Sequence, residues 1–199
     1  IGEIDQCGFM IYQSTLEDSN GKVTFKCQDA HMEIVDTSPY YQTAPMFFVT
    51  NTNSYIELER NQFSFGSKIF LSVKGTDIWG EKGKNGGNVI LYLKSQSIEG
   101  DLIVDDISDL TIHLVYSSII GTINPGKKAK KLIIHIDDKS NITLTGNSYY
   151  TEFINAKSDG SNLINGSFTW TEYGSTTNNS FNYYLKPYFI LLILSIVLF

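Results

Sequence analysis

The chain is poor in several residue types, and each shortage removes a class of answer. Of its 199 residues only 4 are proline and 2 cysteine, and arginine occurs once, at Arg60. Two cysteines cannot build a scaffold stitched by several disulfides. Cys27 falls on the inward beat Val23, Phe25, Cys27, which reads as a buried thiol, with a Cys7–Cys27 disulfide as the alternative. Neither cysteine has metal-ligand company. With one arginine and a net charge of -6, the chain has no broad cationic face to neutralise phosphates, and nucleic acid is excluded as a partner. The one local basic run is Lys127, Lys128, Lys130 and Lys131. No window of eleven or more residues shows the apolar period of an amphipathic helix. Without helices, an ordinary α/β parallel sheet is excluded, because its strands need helical crossovers.

What is abundant is Gly, Asn, Ser, Thr and Tyr, the composition of a turn-rich all-β protein. The strands repeat. Val89–Leu93, Leu110–Leu114 and Leu132–Ile136 begin 21 and then 22 residues apart, each followed by a second apolar strand. Ile98-Glu99-Gly100-Asp101-Leu102 matches Ile119-Ile120-Gly121-Thr122-Ile123 at an offset of 21, glycine included, and a third copy at Ile142–Gly146 is shifted by a residue or two. Earlier, Val23, Ile56 and Val89 suggest steps of 33 and 33. A unit this short cannot bury its own apolar face and must stack on its copies. The fold expected is therefore an all-β, right-handed parallel β-helix, a solenoid over residues 1–173. Lys74 to Asn88, polar and glycine-rich, interrupts the beat and is expected to be a loop on one face.

Gly86-Gly87-Asn88-Val89-Ile90-Leu91, Ile98 through Ser108, Leu144-Thr145-Gly146-Asn147-Ser148-Tyr149 and Gly8 through Ser14 together resemble secreted microbial surface proteins built on a right-handed parallel β-helix. The resemblance covers most of residues 8–170. It implies an adhesin-like role on a fold shared with pectate lyases, and it speaks to fold more than to function.

Residues 174–187 form a small-residue linker and spacer, and 188–199 an uncharged hydrophobic tail. Twelve apolar residues are fewer than the roughly 20 of a spanning helix. Small residues, spacer and apolar end instead match a glycosylphosphatidylinositol (GPI) attachment signal, with cleavage expected near Ser175 or Asn178. The expected compartment is extracellular, at the cell surface, held to the membrane by that lipid anchor or by the hydrophobic tail. Sequons at Asn141, Asn165 and Asn178 are compatible with N-glycosylation there. The start at Ile1, without an initiator methionine, reads as the C-terminal part of a longer protein, so the lack of a secretion signal argues nothing.

In a parallel stack, outward residues at equal offsets lie about 4.8 Å apart. The register puts Tyr92, His113 and His135 in one outward column beside Ile90, Thr111 and Ile133. Stacked rings on an exposed sheet suit carbohydrate, by stacking on sugar faces or hydrogen bonding to hydroxyls; the bland alternative is a ladder that merely suits β-structure. Asp101, Asp105, Asp106 and Asp109 crowd one turn region, where calcium is the candidate cofactor and turn formation the alternative. No catalytic residues stand out. Arg60 is remote in sequence from those aspartates, adjacent acids such as Asp105-Asp106 point apart, and the Gly83–Gly87 loop lacks the lysine and helix of a phosphate cradle. The reading favoured is a non-enzymatic, adhesin-like surface protein that binds carbohydrate or another surface. The alternatives are a polysaccharide lyase or glycoside hydrolase, and a purely structural wall or stalk protein.

Overall fold

The computed structural model describes residues 6–14, 22–157 and 159–174. Among them are eighteen strands and no helix. In chain order these are β1 (Phe9–Tyr12), β2 (Lys22–Gln28), β3 (His31–Glu33), β4 (Phe47–Thr50), β5 (Thr52–Glu59), β6 (Gln62–Ser64), β7 (Ile69–Val73), β8 (Gly87–Lys94) and β9 (Ser97–Glu99). They continue as β10 (Asp101–Val104), β11 (Asp109–Val115), β12 (Ser118–Gly121), β13 (Lys131–Ile136), β14 (Asn141–Leu144), β15 (Ser148–Tyr150), β16 (Glu152–Asn155), β17 (Leu163–Ile164) and β18 (Trp170–Glu172). The expected polar excursion is present as the connection between β7 and β8. The linker, the hydrophobic tail and the sites at Ser175 and Asn178 lie outside the described residues.

Every strand pair is parallel. The largest sheet has six strands in the order β2-β5-β8-β11-β13-β16, flanked by four-stranded sheets β1-β4-β7-β10 and β9-β12-β14-β17. Through β12, neighbours in a sheet are three strands apart in the chain, so each repeat adds one strand to the two sheets that begin with β1 and β2, whereas β3 and β6 form a two-stranded sheet that β9 does not join. From β11 to β13 and from β12 to β14 the step is two, because the intervening strand shrinks to a single bridge between Leu102 and Ile123, and it is three again for β13–β16, β14–β17 and β15–β18.

The register bears out the steps of 21 and 22, since Leu110 pairs with Val89 and Leu132. It corrects the earlier pair of steps. Val23 pairs with Ser54 and Ser54 with Val89, so the true steps are 31 and 35, and Ile56 pairs with Phe25 and Leu91. A slip of two residues keeps every side chain on its own face, so apolar alternation alone does not distinguish the two registers.

Inward side chains of β8, β11 and β13 form continuous buried columns, such as Leu91, Ile112 and Ile134. Each buried aliphatic side chain of this size contributes about 1.5–3 kcal/mol relative to exposure. At the amino-terminal end aromatics replace aliphatics, with Phe47 5.2 Å from Phe9 and 5.5 Å from Phe70, ring centre to ring centre. At the other end Tyr150 stacks on Trp170 at 4.7 Å. Cys27 is half-buried and free, so no disulfide joins it to Cys7.

The corner after the large sheet is built the same way in successive repeats. Asp29, Arg60, Ser95 and Tyr116 all adopt left-handed backbone, φ between 48° and 53°. For residues other than glycine this conformation is unfavourable by about 1–2 kcal/mol. Hydrogen bonds from the next position offset that cost. Asn61 N–H donates to Gln96 Oε1 at 2.7 Å, Gln96 N–H to Ser117 Oγ at 3.1 Å, and Ser117 N–H to Ser140 Oγ at 2.9 Å. These side chains form a buried polar column that holds each corner against the next.

The repeated glycine has a steric reason. A Cβ on Gly121 would overlap the carbonyl oxygen of Gly100 in the repeat below. Gly121→Ala is therefore expected to destabilise the chain by about 1–3 kcal/mol. Gly126→Ala, whose added Cβ meets only the flexible Lys128 side chain at ordinary distance, should stay within about 0.5 kcal/mol. Urea unfolding of the two variants checks this; equal midpoints would mean that the backbones do not approach as described.

Candidate functional site

The outward face of the six-stranded sheet carries the expected column. Tyr92, His113 and His135 are laterally paired, and beside them run Ile90, Thr111 and Ile133. The true register extends the column through Glu57 and Lys26 on one side and Ile154 on the other, with Tyr55 in the neighbouring column. The 33-residue reading places Lys26 in this column but puts Glu59 where Glu57 stands and leaves Tyr55 out of the neighbouring one; steps of 31 and 35 place both.

The rings lie against one another. His113 and His135 stack with centroids 4.4 Å apart and planes 5° from parallel. Tyr92 lies 5.8 Å from His113, and Tyr55 stacks diagonally on Tyr92 at 6.4 Å. The ammonium groups of Lys22 and Lys26 sit 4.8 and 5.6 Å from the Tyr55 ring centre. Ring faces are thus spent on neighbours in the ladder, and what the sheet offers outward is ring edges. A neutral imidazole presents one N–H donor and one acceptor, and tyrosine a hydroxyl. Such a surface hydrogen-bonds a ligand rather than stacking on it.

Charge is arranged around this ladder. Lys26 meets Glu57 at 2.7 Å and holds its carboxyl below the ordinary value. Burial and the adjacent Glu57 push the Tyr55 hydroxyl up. Arg60 makes two hydrogen bonds to Asp29, at 2.7 and 2.8 Å, lowering that carboxyl to about 2. Arg60 also meets Glu59, which Lys94 contacts at 3.1 Å. The single arginine therefore stands in a surface ion-pair network and not beside Asp101, Asp105, Asp106 or Asp109.

Those four aspartates do not share one site, although Asp105 and Asp106, expected to point apart, line the same cleft. Asp101 accepts from Thr122 N–H at 2.7 Å and lines a groove of about 670 Å³ with Phe65, Lys68, Glu99 and Thr145. Asp105 accepts from Gly75 N–H at 2.8 Å and Ile107 N–H at 3.3 Å, tying the excursion after β7 to the turn before β11. Asp106 is exposed and lines a second cleft, of about 610 Å³, with Lys74, Asp77 and Lys82. Asp109 opens β11, and its Oδ1 is buried without a hydrogen-bond partner. Among the described residues, no three His, Cys, Asp or Glu side chains converge as a metal site.

The excursion is firmly held. Buried Asn85 donates from Nδ2 to the carbonyls of Thr76 and Trp79, and its own carbonyl accepts from Asn51 N–H at 2.9 Å. Trp79 packs on Tyr12 at 4.4 Å. Of the two described sequons, Asn165 is exposed in a turn, whereas Asn141 opens β14 half-buried, its N–H donating to Ser117 O.

Comparison with family models, with curated proteins and with solved structures finds no match for this chain. The reading of the site rests on its geometry.

Partial burial, and secondarily the neighbouring His135, hold the His113 imidazole below its ordinary value. The unfolded chain then binds a proton more readily than the folded one. Stability is fully present above the ordinary imidazole value of about 6.5 and falls as pH drops below it. Urea midpoints should decline from about pH 7 to about pH 5, and His113→Gln should flatten that decline. An unchanged slope in the variant would assign the acid sensitivity to other groups.

Proposed function

We propose that the chain is a right-handed parallel β-helix displayed outside the cell, which binds carbohydrate through the outward ladder without catalysing a reaction. The winding is supported by the strand order, in which the six-stranded sheet gains one parallel strand per repeat. Connections between parallel strands of one sheet are right-handed in about 98% of cases. The binding reading is carried by one observation, an unbroken in-register column of half-buried rings, Tyr92, His113 and His135, on the outward face of the six-stranded sheet. Hydrogen-bonding groups repeated at one strand spacing suit an extended polymer whose hydroxyls also repeat.

A lyase is less well supported. The only arginine is engaged by Asp29 and Glu59, and Asp101 and Asp105 already accept backbone N–H groups. Attachment to the membrane follows from the C-terminal sequence, small residues then a spacer then an apolar end.

Replacing Tyr92 and His113 by alanine together removes two hydrogen-bonding edges, each worth about 0.5–1.5 kcal/mol. Retention on insoluble cellulose or chitin should then weaken by roughly tenfold, with the circular dichroism spectrum unchanged. Undiminished retention, or none in the parent, would leave a structural stalk as the reading. For the anchor, phosphatidylinositol-specific phospholipase C should release the protein from the surface of cells that express it. Resistance to the enzyme would point to insertion of the hydrophobic tail itself.

A further inference from the structure

Between the corner at Asn61 and the start of β7, two successive repeats part. At the corner a side chain bridges their backbones, since Gln96 Nε2 donates to Asn61 O at 2.9 Å and Gln96 Oε1 accepts from Asn61 N–H. They meet again where Asp101 N–H donates to Lys68 O at 2.7 Å. In between, residues 62–67 face the shorter stretch 97–100, and no strand pairing or backbone hydrogen bond joins the two. β6 stays with β3, and β9 begins a separate sheet. The unequal lengths and lost pairing open the groove of about 670 Å³ on which Asp101 lies.

Four successive repeats line this groove. They contribute in turn Lys68, then Glu99 and Asp101, then Ile120 and Thr122, then Thr145. At one strand spacing per repeat it extends roughly 14 Å along the stack. Its floor carries no side chain at Gly100 and Gly121, so a ligand reaches the backbone there. Asp101 is fixed in orientation, because its Oδ1 accepts from Thr122 N–H at 2.7 Å, and its Oδ2 is left to accept from a ligand. A bulge sets its position, with Asp101 opposite Ile69 and Leu102 opposite Leu71, and bulges re-aim side chains. The Thr122 and Thr145 hydroxyls lie 3.2 Å apart in a hydrogen bond. Lys68 and Glu99, one from each of the parted repeats, are both exposed, yet unlike Lys26 and Glu57 they form no ion pair. Ile120 adds an apolar patch, 37% exposed.

We propose that this groove is a second carbohydrate site, which takes a short neutral oligosaccharide. The carboxylates of Glu99 and Asp101 accept from sugar hydroxyls, the Lys68 ammonium donates to one, and the threonine hydroxyls do either. Ile120 supplies the apolar contact that the C–H face of a sugar needs. Two carboxylates against one ammonium disfavour an anionic sugar. A peptide strand filling the gap would use the edges of β6 and β9, but each is three residues long, and such a strand leaves the carboxylates without donors. The inference extends the carbohydrate reading to new residues and rests on the groove, not on the ladder.

The experiment is isothermal titration calorimetry of the full chain with cellotetraose, chitotetraose and mannotetraose. At least one of the three should bind, and with the same affinity to the variant in which Tyr92 and His113 are alanine. Glu99→Ala should weaken that binding roughly tenfold. Asp101→Asn, which keeps the acceptor for Thr122 N–H, should weaken it roughly fivefold. The proposal is overturned if none of the three binds at millimolar concentration, or if Glu99→Ala binds as the parent does. It is also overturned if the ladder variant loses the sugar, which would return binding to the ladder. Retention of reduced, carboxymethylated lactalbumin without any sugar binding would make the occupant an extended peptide. Retention on insoluble polysaccharide is measured separately, so the ladder and the groove succeed or fail independently. Glu99 is exposed, and matching thermal unfolding of parent and variants confirms that folding is not what changed.

Discussion

In-register parallel pairing between successive repeats is the constraint on which the rest of the structure depends. Once each strand lies beside its counterpart in the next repeat, every residue has the equivalent residue of the neighbouring repeat at its side, about 4.8 Å away. Inward positions become columns of Leu, Ile and Val that exclude water. Corner positions become a column of Asn61, Gln96, Ser117 and Ser140, whose side chains answer the backbone groups that the turn leaves unpaired. Outward positions become the ring ladder. Where two backbones approach closely, as at Gly100 and Gly121, only glycine fits.

This dependence explains which parts were legible in the sequence. The steps of 21 and 22 could be read because three pentads, Val89–Leu93, Leu110–Leu114 and Leu132–Ile136, keep strict alternation, and the first two share a glycine, Gly100 and Gly121, at the same offset. The larger steps could not. Connections of unequal length, including the long excursion between β7 and β8, separate β2, β5 and β8, and a two-residue slip leaves every side chain facing the same way. The error was harmless for the core and costly for the site, since it put Glu59 in the place of Glu57 and left Tyr55 out of the neighbouring column.

The polar corner column was invisible for a different reason. Asn61, Gln96 and Ser117 look like turn residues in a sequence, and they are; what the sequence does not show is that burial turns them inward to serve the adjacent repeat. The aspartates are the converse case. Their crowding along the chain suggested one shared site, but strand geometry sends Asp101 and Asp106 to different clefts and commits Asp101 and Asp105 to backbone donors. Proximity in sequence is a poor guide where the chain turns a corner every few residues.

The same column logic limits what the ladder can do. Rings repeated at strand spacing stack on one another, so a longer aromatic column offers less free ring face and more ring edge. Stacking also bears on charge. Two imidazolium ions about 4 Å apart repel by up to about 4 kcal/mol at the effective dielectric of a protein surface, less for the share of the rings that water reaches. Burial first, and repulsion from His135 second, disfavour the charged form of His113, and a neutral imidazole keeps one donor and one acceptor. A bifunctional donor and acceptor edge repeated along the sheet matches hydroxyl groups, each of which both donates and accepts.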